Sequence, residues 1–282
     1  VAIVSISFAS IFIKWSEAPA VVIAAYRMLF AALILMPFAL RKTYREEMRW
    51  LERRQWWVVG LIGIILAFHF VAFNAALKET SVASATILIT CHPIVVGVLG
   101  YIYLKERPRR SGAGIVLGLA GVVVISSADL SGGAIYGDLL ALAGMLAAAL
   151  YLLGGRVLRQ RISVITYAFL IYLIAAGVLF LAAVATGAPL WPYPADELVL
   201  FLALAAVSTI FGHTLLNWSL RYLPAAFVSL SMLGEPVGAS ILAFFLLSEA
   251  PSPGMLAGGA RVMAGILLAA GSAPTGDRTP DR

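Results

Sequence analysis

Seven ionisable side chains stand inside long apolar runs of this 282-residue sequence: Lys14, Arg27, His69, His92, His213, Glu235 and Arg261. A charged group in such surroundings costs roughly 2.5–3.5 kcal/mol on insertion scales, so each needs a reason. Glu235 directly precedes Pro236, and His92 directly precedes Pro93. Proline removes a helix hydrogen bond and opens the local backbone, which would hold these two titratable groups at breaks within apolar helices. Glu235 is read as a site that exchanges a proton or holds a substrate ammonium, or as a buried structural partner, with Arg261 the candidate counter-ion. His92 carries the same two readings. Arg27, beside Tyr26, offers a fixed fork for a carboxylate; its structural alternative is bonding to loop carbonyls. Lys14, nearer a helix end, is expected to snorkel to the headgroups.

The elements that must position these groups follow from composition. The chain is 62% hydrophobic and 12% charged, against about 45–50% and about 25% in soluble domains. That excludes a soluble enzyme, a disordered scaffold and a disulfide-built secreted domain. The net charge of +6 does not point to nucleic acid, because the basic residues lie between apolar runs. One cysteine, Cys91, leaves no disulfide or Cys-based metal framework. No cleavable signal peptide is visible. The opening Val1, already inside an apolar run, implies a trimmed or incomplete N-terminus.

A membrane-crossing helix needs about 20 mainly apolar residues. Ten such runs are expected, near 1–15, 19–40, 57–77, 81–104, 111–128, 135–157, 163–186, 198–220, 224–247 and 253–270. Their connections are short, and the longest, Arg41 to Trp56, is dense in charge. Sixteen of the basic residues fall on one side of this layout, in the connections after the even-numbered runs and in the tail, while the opposite connections hold Lys78 alone. Lys and Arg concentrate on the cytoplasmic face, so both termini are expected in the cytoplasm. The residues 272–282, rich in Pro, Asp and Arg, read as a disordered cytoplasmic tail.

Sliding the chain against itself by 143 residues aligns Phe68 with Phe211, Asn74 with Asn217, Ala83 with Ala226, His92 with Glu235, Pro93 with Pro236, Glu106 with Glu249 and Pro108 with Pro251. Two copies of five runs are implied, 1–130 and 131–271. An odd number forces the second copy to enter the membrane upside down. That is the inverted-repeat plan of secondary transporters, with the binding site near the midplane between the copies.

The stretch from Asn74 reads N-A-A-L-K-E-T-S-V-A-S-A, then H-P-I-V-V-G, L-K-E-R-P and G-I-V-L-G-L-A-G-V; its counterpart reads N-W-S-L-R-Y-L-P-A-A, G-E-P-V-G-A and L-L-S-E-A-P. Over essentially the whole chain this resembles the EamA family of the drug/metabolite transporter superfamily. The resemblance implies an all-α integral membrane protein of ten helices around a central cavity, exporting amino acids or related small metabolites. It also implies Glu–Pro at 235–236 and an end-of-span glutamate at Glu106 and Glu249, read here as capping or packing residues. Arg261 departs from the family's usual aliphatic residue.

Asn74 and Asn217, at equivalent positions, are candidates for the cavity or for helix-end hydrogen bonding. His69 and His213 are near-equivalents. His213 and Trp218 are expected to line the cavity, one as a hydrogen-bonding group and the other as an apolar or cation–π wall. Gly114 with Gly118, and Gly254 with Gly258, form GxxxG faces that bring helices together. No HExxH, GxSxG or Walker loop is present, and Cys91 and His92 project about 100° apart on a helix, against a dyad. The expected partners are therefore a small-molecule substrate, the bilayer and protons as a coupling ion, with no cofactor, metal or nucleic acid, in a monomer or homodimer of a prokaryotic inner membrane. The alternatives are a multidrug or other metabolite carrier of the same fold, or a membrane receptor or enzyme.

Overall fold

The structure is a computed structural model that describes residues 1–104, 111–129 and 135–270. Glu106 with its connection, the connection 130–134 and the tail expected to be disordered lie outside the described residues. Among the described residues the chain is helical with no strand. The order is α1 (Ala2–Trp15), α2 (Ala20–Ala39), α3 (Lys42–Arg49), α4 (Arg53–Glu79), α5 (Val82–Ile89), α6 (His92–Leu104), α7 (Ser111–Asp129), α8 (Ile135–Arg159), α9 (Val164–Ala185) and α10 (Ala195–Ala203). A π-helical segment (Leu204–Thr214) then runs into α11 (Leu215–Ser219), followed by α12 (Ala225–Ser231), α13 (Gly234–Leu247) and α14 (Pro253–Ala270). Among the described residues seven helical stretches are long and apolar enough to cross a membrane, and Ala2–Trp15 is a shorter apolar helix.

Local chemistry starts and stops these helices. The Ser81 and Ser163 hydroxyls accept from Ser84 N and Thr166 N at the starts of α5 and α9, satisfying amide groups with no partner inside the helix. Pro19, Pro194 and Pro224 stand at the N-caps of α2, α10 and α12. Two of the expected runs, 81–104 and 224–247, are each broken in the middle. The first breaks at Thr90–Cys91, between α5 and α6, and the second at Met232–Leu233, between α12 and α13. Pro93 and Pro236 occupy the first turns of the helices that follow, where a missing N–H costs nothing.

In lipid there is no hydrophobic drive between helices, so close approach of small residues carries much of the packing. On α2 the buried Ala24, Ala25, Ala31 and Ala32 meet α9 and α4. Helix α1 lies between the π-helical segment and α13. A Cβ on Gly212 would come within 2.5 Å of Ile6 Cγ2, and one on Gly238 would collide with the Ser7 side chain. Helices α7 and α14 pack on each other: a Cβ on Gly265 would stand 2.5 Å from Gly114 O, and one on Gly121 would stand 2.6 Å from Gly258 O. The glycine-rich faces of these two helices therefore form their mutual interface. Two apolar clusters fill the rest of the bundle, one centred on α2, α4, α8 and α9 and the other on α1, α2, α4 and α5.

Candidate functional site

The polar centre sits where those two clusters meet. Arg27 from α2, His69 from α4, His92 from α6, His213 from the π-helical segment and Glu235 from α13 line one cavity with Phe70, Phe73 and Thr90. Its volume is about 20 Å³, room for one water and far below the roughly 300–1,000 Å³ of a ligand pocket. Arg27 is 1% exposed, His92 1% and Glu235 6%. The helix breaks bring both residues that precede proline into this space.

Arg27 is held from two sides and open on a third. Its Nε donates to the Thr209 hydroxyl at 2.8 Å, and its guanidinium carbon lies 4.2 Å from the centre of the Phe70 ring, a cation–π contact. Thr209 is itself oriented by donating to Leu204 O at 3.0 Å, five residues back, a spacing that belongs to the π-helix. Arg27 Nη1 and Nη2 are buried and have no hydrogen-bond partner, and neither has His92 Nε2. Glu235 faces Arg27 across the same cavity, yet no ion pair within 4 Å joins them. His92 Nδ1 is bonded to the Ser229 hydroxyl at 2.5 Å, which ties α6 to α12.

Several side chains lie elsewhere than the sequence implied. Arg261 is not the counter-ion of Glu235: it is exposed and donates to Ala257 O in its own helix, and it is Arg27 that shares the cavity with Glu235. The Arg27 head group reaches a side chain of the π-helical segment rather than loop carbonyls. Tyr26 points to the other side of α2, where its hydroxyl donates to Leu190 O at 2.8 Å and its ring stacks on Phe201. Trp218 is 51% exposed and packs on Tyr222, and it is not among the residues that line the cavity. Asn74 Nδ2 donates to Ala20 O and holds the start of α2. Asn217 Nδ2 donates to Tyr151 Oη at 2.5 Å beside a smaller cavity of about 10 Å³, whose walls include His69 and His213. His69 Nδ1 donates to Gly144 O at 3.0 Å, so it also performs a packing task.

Both ends of the bundle are tied shut. At one end Lys14 donates to Thr80 O at 3.0 Å and lies 3.8 Å from Glu249. Glu249 accepts from Val82 N at the start of α5, while Glu197 accepts from the Ser16 hydroxyl and Glu17 N at 2.5 Å each. Lys78 closes the same cluster by donating to Ser16 O. At the other end Arg159, placed in a connection by the sequence reading, is 2% exposed and donates to Asn217 O and Ile162 O. Arg156 donates to Leu220 O at 2.8 Å.

Thr209, Phe70 and Ser229 escaped the sequence reading. Thr209 follows Ser208 within an apolar run, the one signal that could have marked it. Nothing in a 3.6-residue periodicity announces a π-helix, although such turns recur at functional sites.

A bundle of membrane-length helices closed around a buried guanidinium, carboxyl and imidazole is the architecture of a multi-pass transporter. The model of the EamA-like transporter family matches residues 1–127 and again 135–271, and the chain belongs to that family. It is 29% identical over 258 residues to an uncharacterized transporter of Archaeoglobus fulgidus, covering 87% of this chain and 86% of that one. It is 29% identical over 237 residues to the uncharacterized transporter YwfM of Bacillus subtilis, covering 80% and 77%. A solved crystal structure superposes with a TM-score of 0.75 at 20% identity, over 97% of this chain and 96% of that chain, which shows the shared fold. The protein is thus a membrane transporter and not an enzyme, with bacterial and archaeal relatives.

Proposed function

We propose that this transporter is a secondary carrier that exports small polar metabolites, amino acids or related compounds, across the cytoplasmic membrane by alternating access. In this reading ten helices cross the bilayer as two inverted five-helix repeats, 1–130 and 131–271, and the Arg- and Lys-rich connections and both termini face the cytoplasm. The observation that carries the reading is the pair of unpartnered, buried Arg27 nitrogens facing the same cavity as Glu235. A buried cation with two free donor groups is costly, and a substrate carboxylate would satisfy both at once. Glu235 would hold the substrate ammonium or a proton, and His92 Nε2 would offer a further hydrogen bond. The water-sized cavity and the two tied ends fit an occluded conformer, from which one end must open to admit a substrate.

The test is counterflow in proteoliposomes with a labelled amino-acid panel, with and without a pH gradient, on wild type and Glu235→Gln. Gradient-driven accumulation lost in the variant makes the protein a proton-coupled amino-acid carrier. Counterflow indifferent to pH makes it a facilitator, and silence across the panel removes amino acids as the substrate class.

One observation favours a second reading, efflux of a lipophilic drug. A groove of about 600 Å³ runs beside α13 and α14, with Pro236, Phe244, Phe245, Leu256 and Met263 among its walls. Neighbouring residues Glu235 and Pro236 thus face different spaces, one polar and one apolar. A drug carrier would keep its transport when Arg27 is replaced.

A further inference from the structure

The charged connection between α2 and α4 folds into α3, and its residues separate by face. At about 100° per residue, Lys42, Arg45 and Arg49 fall within one stripe about 60° wide, while Tyr44 and Glu47 occupy the opposite side and Met48 lies on the flank between them. Burial follows the same division. Tyr44, Glu47 and Met48 are half-buried, and Lys42, Arg45 and Arg49 are exposed.

The inward face is fastened. Met48 packs against the larger apolar cluster. The Glu47 carboxylate accepts from Ser163 N at 2.6 Å and the Ser163 hydroxyl at 2.5 Å, and from the Thr166 hydroxyl, at the start of α9. A carboxylate at a helix start is also favoured by the helix dipole. With Glu47 engaged, α3 cannot roll, and its basic stripe is held outward. Arg41, Arg53 and Arg54 are exposed around it. Trp50 is 84% exposed and Trp57 73%, and the Arg41 guanidinium lies 5.2 Å from the Phe38 ring. Glu46 offsets Lys42 at 3.9 Å, but an exposed pair of this kind contributes little.

Exposed indoles beside a cationic stripe, between the ends of two membrane-length helices, match one partner chemistry. Tryptophan settles at the headgroup level, and Lys and Arg near the surface attract anionic lipid. We infer that the outward face of α3 binds the phosphates of anionic phospholipids through Lys42, Arg45 and Arg49, with Trp50 seated in the interface, and so fastens the start of α9 to the lipid surface. This rests on the chain being a membrane protein and is independent of which substrate it carries.

The experiment is native mass spectrometry of the full chain, released from detergent with phosphatidylglycerol or phosphatidylcholine bound. Lys42→Gln/Arg45→Gln/Arg49→Gln should lower phosphatidylglycerol retention by about tenfold or more and leave phosphatidylcholine unchanged. The charge-conserving Lys42→Arg/Arg45→Lys/Arg49→Lys should retain the lipid, separating loss of charge from loss of fold. Lys105→Gln/Arg107→Gln/Arg109→Gln, an equal loss of charge in another connection, should also retain it. Undiminished retention in the first variant, or an equal drop in the last, overturns the inference. Full displacement by millimolar glycerol phosphate overturns it too, since the ligand would then be a soluble phosphate.

Discussion

The two broken spans, α5–α6 and α12–α13, carry the same device with different cargo. Each stops three or four residues before a titratable side chain, and each resumes with a proline in its first turn. In the first, His92 spends one ring nitrogen on Ser229 and so clamps the two breaks together. In the second, Glu235 faces Arg27 across the cavity, with no ion pair closed between them. The difference teaches that the break is scaffold and the residue before proline decides its use. His92 is partly committed to a bond between helices, while the Glu235 carboxyl faces the cavity with the unpartnered Arg27 nitrogens.

The largest effect should come from Glu235→Gln, which removes the charge and keeps the shape. Under the proposed coupling, pH-driven exchange falls to background while counterflow and protein level persist. An unchanged pH response would erase the functional contrast between the two breaks. Arg27→Lys comes next. A point-charge ammonium cannot bind a carboxylate in a two-pronged way, and a hydrogen bond to a charged group is worth about 1.5–3 kcal/mol. Half-saturation for carboxylated substrates should therefore rise about 10- to 100-fold, and an equal loss for uncharged substrates would indicate a folding defect.

Thr209→Val should act through Arg27, raising the same half-saturation by about tenfold with maximal rate nearly kept, and Thr209→Ser should restore it. Failure of the serine variant to rescue would mean the threonine methyl, not its hydroxyl, matters. His92→Asn keeps a polar group within reach of Ser229, so transport should stay within about fivefold of wild type. A loss as deep as that of Glu235→Gln would make the two breaks functional equals. Smallest of all, Trp218→Ala should leave uptake unchanged in the same assay, as expected of a ring that packs on Tyr222 outside the cavity.

Legibility followed range. The helices around Arg27, His69 and Glu235 could be read because a run of about 20 apolar residues is a local property, and Pro93 and Pro236 marked the breaks by local backbone chemistry. The polar cluster was recognisable as a set of costly residues, but not as a geometry. Arg261 was the counter-ion the sequence offered for Glu235, because nothing local says that the packing of α2 against α4 and α9 turns Arg27 into the same cavity. Tyr26 looked like a site residue and Trp218 like a cavity wall because sequence proximity to Arg27 and Asn217 says nothing of which helix face a neighbour lies on. Arg159 looked like a loop cation because its carbonyl partners, Asn217 and Ile162, are found only after folding.

The sequence alone determined that this protein is helical, belongs in a bilayer and carries a few buried ionisable groups that need a use. Composition and periodicity state what each segment can bury, and a membrane leaves a segment few other solutions. The tertiary structure alone decided which of those groups meet. The π-helical register that brings Thr209 to Arg27, the inward turn of Glu47 that orients α3 and the joining of His92 to Ser229 all depend on contacts between segments far apart in the chain. No local preference encodes them, because each is set by how two helix surfaces fit together.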